Sequence, residues 1–158
     1  MIVRCFDPSV IKAIFTHPSI WPHISDDGCD INTYEPVLHD SVYYLVPTLN
    51  GVSCGAFMYV PQNSIMYEVH SCVLPERRGP LAIEFAKESL KWMVMNTNCQ
   101  KIITHVPENN RLALSFAKRA GMQLEGINRK SYQKAGAIID QFVLGITARE
   151  ILCQQQPQ

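Results

Sequence analysis

Two short groups of residues, both between Ile65 and Met95, have the types and spacing to do chemistry. The first is Arg77-Arg78-Gly79, just before Pro80. Proline suits the first position of a helix, because it has no N–H to lose there. A helix N-terminus offers free backbone N–H groups and the positive end of the helix dipole. Two guanidinium groups and a glycine beside it make a place for an anion, a phosphate above all; the plain alternative is a solvated basic turn. The second group is Glu68, His70 and Cys72, at alternate positions of an apolar, β-branched run. Alternate residues of a strand share a face, so carboxylate, imidazole and thiol project together. A carboxylate on a buried strand has its pKa raised and suits a general base, and imidazole is already in the right range. Either could instead be a buried polar group satisfied by backbone. Nothing cationic stands near Cys72 in sequence to favour its thiolate, so that side chain reads as core.

The elements that must position these groups follow from periodicity. Ile65 to Leu74 reads as a strand buried on both faces or nearly so, ended by Pro75. Pro80 opens a helix to about Asn96, with Ala82, Phe85, Ala86, Leu90 and Met93 on its apolar side. Upstream, Ile2 to Cys5 is a short strand, and Asp7-Pro8 starts a helix carrying Val10, Ile11, Ile14 and Phe15. His17 to Tyr34, rich in Pro, Gly, Asp and Ser, is expected to be short helix and loop over a site, with Trp21 either there or packed on the core. Val42 to Pro47 and Val52 to Val60, joined through Asn50-Gly51, lead into the Ile65 strand as an antiparallel meander. Lys101 to Val106 is reached by a crossover and is expected to lie parallel to that strand. A helix from Arg111 stops at Gly121, followed by strands Met122 to Ile127 and Ala137 to Thr147 around a polar connection, Arg129 to Gly136.

A chain of 158 residues is the size of one domain, here expected over residues 1–150 with a flexible tail at 151–158. Fourteen basic and fourteen acidic residues cancel, which argues against general nucleic-acid binding. Six dispersed cysteines without a CxxC fit a reducing compartment. No apolar run has the length of a signal segment or a membrane span, so a soluble, cytoplasmic protein with no membrane association is expected.

The element order, with Asn110, Ala113, Lys118, Gly121 and Met122 as N-x-x-[AS] and K-x-G-[FM], Glu125-Gly126 with Arg129 as E-G-x-x-R, and Gly136 with Asp140 as G-x-x-x-D, resembles the GNAT superfamily of N-acetyltransferases. The likeness is greatest to its ribosomal-protein N-terminal acetyltransferase branch and covers about residues 36–148. It implies an α/β fold with a mixed, mostly antiparallel central sheet, helices on both faces and a splayed parallel strand pair. It implies acetyl-CoA (coenzyme A) as cofactor and transfer of acetyl to a primary amine, on a small molecule or a protein N-terminus. Arg77, Arg78 and Gly79 would meet the pyrophosphate, and Asn110 the pantetheine. Glu68, with His70 as rival, would be the base. A backbone N–H at Cys72 or Val73, beside a strand bulge, would meet the oxyanion. Trp21 and His23, with His17, Asp26 and Asp27, are the acceptor-side candidates. An α-amine of pKa about 7.8 is the easier acceptor than a lysine of about 10.4. The chain departs from the pattern at the phosphate turn, where a start at Arg78 puts Leu81 and Ile83, and a start at Arg77 puts Pro80 and Ala82, at the glycine and glycine-or-alanine positions, and where Ala117 replaces a tyrosine. A narrower likeness, through HPSIW, YEVH and PERRGP, is to GNAT-like head-assembly proteins of tailed bacteriophages. That implies an alternative: an assembly module with weakened or lost catalysis, binding phage structural proteins in a host cytoplasm.

Overall fold

Strand periodicity places successive side chains on opposite faces of one sheet, and the two apolar sets form two cores. The computed structural model describes residues 1–154. In chain order the elements are β1 (Ile2–Arg4), α1 (Pro8–Phe15), α2 (Trp21–Ile24), β2 (Tyr43–Leu49), β3 (Val52–Ser53), β4 (Gly55–Pro61), β5 (Met66–Val73), α3 (Pro80–Asn96), β6 (Lys101–Pro107), α4 (Arg111–Arg119), β7 (Gln123–Lys134), β8 (Ala137–Thr147) and α5 (Ala148–Cys153). The sheet order is β1-β2-β4-β5-β6-β8-β7, with β3 paired to β2. Every pairing is antiparallel except β5 with β6, which is parallel.

Leu45, Phe57, Tyr59, Val69, Ile102 and Leu144 form a core with Leu90 and Met93 of α3. Their strand neighbours Tyr44, Val46, Ala56 and Cys72 face the other way, onto Ile11, Ile14 and Phe15 of α1. Each such aliphatic side chain contributes about 1.5–3 kcal/mol on burial. Local signals agree with this layout. The Asp7 carboxylate accepts the Ser9 N–H at 2.8 Å and caps α1. Asn50 and Gly51 take positive φ, 51° and 78°, as a tight hairpin turn requires.

Two expectations are corrected. The polar run Arg129 to Gly136 is mostly strand: β7 continues to Lys134 as the edge of the sheet, interrupted by irregularities at Leu124/Gly126 and Asn128/Tyr132. An edge strand with little burial needs no apolar alternation, so composition alone hid it. The boundary at residue 150 falls inside a helix, because Thr147 and Glu150 form a reciprocal capping box and Ile151 is buried. Residues 155–158 of the expected tail lie outside the described residues.

Candidate active site

β5 and β6 pair over only three positions, Met66 with Lys101, Tyr67 with Ile102 and Glu68 with Ile103. Beyond them β5 follows β4 as far as Val73, while β6 follows β8 as far as Pro107. A bond from the Thr104 hydroxyl to the Val69 carbonyl, 3.0 Å, spans the start of the gap. Ile65 turns its carbonyl to β6, accepting from Lys101 N–H, whereas the Leu74 N–H goes to Cys54 on the β4 side. By alternation the backbone groups of Ser71 and Val73 face the gap, and those of His70 and Cys72 face β4. The gap opens into a cleft of about 450 Å³. One end is walled by the starts of α3 and α4, the other by Glu68, His70 and His105.

At the first end Gly79 precedes α3 with φ 101° and ψ −151°, a region that disfavours any side chain. A Cβ placed there would meet nothing within 4 Å, so the backbone of this turn is open to an approaching group. Arg78 lines the cleft, donating to the Val73 carbonyl at 3.3 Å and to that of Ser19 at 3.1 Å. It therefore bridges the end of β5 to the segment before α2. Arg77 does not line the cleft; its Nε is buried without a partner among the described residues. Asn110 lines the cleft and is also the cap of α4, its side-chain Oδ1 accepting the Ala113 N–H at 3.0 Å. Ala117 lies in the same wall, buried and without a hydroxyl.

At the second end Glu68 Oε1 is 2.8 Å from His105 Nδ1 and 3.8 Å from His70 Nε2, and Gln62 donates to Oε2 at 3.3 Å. Side-chain exposure rises from 16% at Glu68 through 23% at His105 to 43% at His70. Desolvation by the surrounding protein pulls the His70 pKa below its ordinary value, with His105 acting in the same direction and the Glu68 carboxylate opposing. Glu68 and His70 share a face, as alternation predicts. His105 was missed: it joins them because Glu68 lies opposite Ile103, and the residue two further along β6 points the same way. Only the register carries that signal.

Cys72 is 1% exposed, and burial pushes its thiol up to about 12. Its N–H points to β4, so of the two residues expected to meet an oxyanion only Val73 offers one to the gap. The expected bulge is not in β5, whose register with β4 is unbroken from Tyr67 to Val73. The irregularity lies at Cys54, between β3 and β4. There Gly55 has φ 149°, and a Cβ on it would stand 2.1 Å from the Cys72 carbonyl. Trp21 packs edge-on against Tyr34, centroids 5.4 Å apart, and does not line the cleft, whereas exposed His23 does. Asp27 accepts the N–H groups of Ala135 and Gly136, each at 2.8 Å, which holds its carboxyl below the usual range. With the Tyr132 hydroxyl donating to the Ser25 carbonyl at 2.8 Å, these bonds fasten the segment after α2 to the β7–β8 hairpin beside the cleft. Asp27 thus has a structural partner. No group of side chains able to hold a metal is present among the described residues.

A mostly antiparallel sheet with helices on both faces and one parallel pair parting over a cleft is a GNAT-like fold. The spermidine N-acetyltransferase of Vibrio cholerae, solved in complex with CoA and spermine, matches with a TM-score of 0.80 at 16% identity, covering 96% of this chain and 97% of that one. A point variant of the enzyme from the same organism matches at 0.68 and 19% identity, over 74% and 72% of the two chains. Mutant forms of its spermidine/spermine N-acetyltransferase match at 0.67 and 20%, over 75% and 74%. No curated protein sequence matches. The model of a family described as a protein of unknown function (DUF2824) matches residues 10–149, and the chain belongs to that family. No helix among the described residues is long and apolar enough to cross a membrane.

Proposed function

We propose that the protein is an acyl-CoA-dependent N-acetyltransferase acting on a primary amine. The observation that carries this reading is the parting of β5 and β6 immediately after Glu68, which joins an open helix N-terminus to a carboxylate–imidazole cluster through one cleft. The residues fit the cofactor. The open turn at Gly79 and the free N–H groups of α3 suit a pyrophosphate, with Arg78 as the charged partner. The backbone of Ser71 and Val73 suits an extended, amide-bearing arm, and Asn110 braces the far wall. Acetyl-CoA, when bound, supplies a thioester whose acyl carbon passes from sulfur to the amine nitrogen. The chain's own task is to hold that arm and to take a proton from the ammonium at the Glu68 end.

The solved spermidine enzymes support an amine-bearing small molecule as acceptor. Proton cost favours a low-pKa amine such as a protein N-terminus, the substrate class of the N-terminal acetyltransferase branch. A second reading, a tailed-phage assembly module of the same fold, is favoured by Pro80, which lacks one phosphate donor, and by Arg78 being engaged with two carbonyls. Melting with coenzyme A separates the two. A ligand at a hundred times its Kd stabilises the native state by about 2.7 kcal/mol, several degrees for a domain of this size. A shift that shrinks in Arg78→Ala is expected of the enzyme; no shift at millimolar coenzyme A rejects it.

A further inference from the structure

We propose that His70 is the proton acceptor of this site and that Glu68 and His105 are positioning residues behind it, an assignment that rests on the acyltransferase reading. Glu68 is the least exposed of the three, and both its oxygens are engaged, Oε1 by His105 and Oε2 by Gln62. His70 is the most exposed of the three and lines the cleft. Its Nε2 faces Glu68 Oε1 at 3.8 Å, beyond hydrogen-bonding range but close enough for the carboxylate to favour Nε2–H and to stabilise an imidazolium. That tautomer leaves the lone pair on Nδ1, for which no bond is formed among the described residues. His105 donates from Nδ1 to Glu68, which fixes the carboxylate and its own tautomer together.

The groups around His70 support this division of labour. Glu68 lies on its own strand, His105 on β6, and the cross-strand neighbour Met58 on β4 is uncharged. His23 of α2, Arg78 and Tyr132 line the same cleft. Burial and His105 outweigh Glu68 and hold the imidazole below its ordinary value, which favours the neutral, proton-accepting form. In the step, one N–H bond of the ammonium breaks and an Nδ1–H bond forms. The electron pair stays on the amine nitrogen for attack, and the proton leaves His70 for solvent through the cleft.

The test combines imidazole NMR titration of the full chain with the pH profile of kcat/KM, using acetyl-CoA with spermidine and with a peptide bearing a free N-terminal alanine. His70 should titrate below 6.5, and the acidic limb of kcat/KM should fall at the same pH. Both should move down together in Glu68→Gln, which removes the opposing charge, and up together in His105→Asn, which removes the imidazole. Asn can still donate to Glu68, so His105→Asn should retain more activity than His105→Leu. His70→Asn should lose on the order of 10²-fold or more while keeping the coenzyme A melting shift. The assignment is overturned by a limb that ignores the His70 titration, by near-normal turnover of His70→Asn, or by a His70 titration unmoved in Glu68→Gln. The last readout needs no turnover, so it decides even where both amines fail as acceptors. Loss of the coenzyme A shift in the wild type is a different result and removes the acyltransferase reading itself.

Discussion

The two ends of the cleft are made of different material. At Gly79 the wall is backbone: one turn conformation, the first N–H groups of α3, and the strand groups of Ser71 and Val73. At Glu68 it is side chain: a carboxylate between two imidazoles from two strands. The first end depends on a few consecutive residues adopting the right φ and ψ, whereas the second depends on β5 and β6 holding one register. Binding and proton transfer should therefore fail independently.

The largest expected effect is at the side-chain end. Glu68→Gln removes the counter-charge for an imidazolium at His70 and the charged partner of His105. The rate should fall by up to about 10²-fold, short of the loss expected on removing the His70 imidazole itself, with the coenzyme A melting shift unchanged. A parallel loss of that shift would show that the ends are not separate. Gly79→Ala probes the backbone end. At φ 101° a side chain is strained by about 1–3 kcal/mol, read as a lower denaturant midpoint. It should also weaken the coenzyme A shift while leaving the titration of His70 in place. An unmoved midpoint would mean that the turn relaxes. The smallest effect concerns the fastening beside the cleft. Asp27 has its folded pKa held below 3.8, so the stability it adds is complete above that value and is lost as pH falls through the folded pKa. Asp27→Asn should flatten the acid side of the melting curve below about pH 4 and leave activity at neutral pH within a few-fold. A large activity loss would give Asp27 a role at the acceptor.

The same contrast separates what the sequence made legible from what it did not. Pro80, Gly79 and the Asn110 cap are local signals, readable from a handful of neighbours, and the helices begin where those residues indicate. Glu68 and His70 sharing a face follows from strand parity. His105 needed the β5–β6 register, which no local pattern contains. Trp21 needed the position of Tyr34, and Arg77 the direction of a single turn. The irregularity expected in β5 belongs to its neighbour, where Gly55 passes against the Cys72 carbonyl. Strand β7 was hidden because an exposed edge can be written in polar residues.

The short β5–β6 pairing has one more consequence. From Val69 to Val73, β5 is bonded to a strand on one side only, so the sheet carries an edge in its interior as well as at β1 and β7. Open edges recruit other chains and seed aggregation. This one is recessed between the layers and partly stoppered, since the guanidinium of Arg78 occupies the Val73 carbonyl. A single extended, amide-bearing chain could dock along it as a strand does. Arg78 thus occupies one of the acceptors that the vacant edge would otherwise offer to another strand.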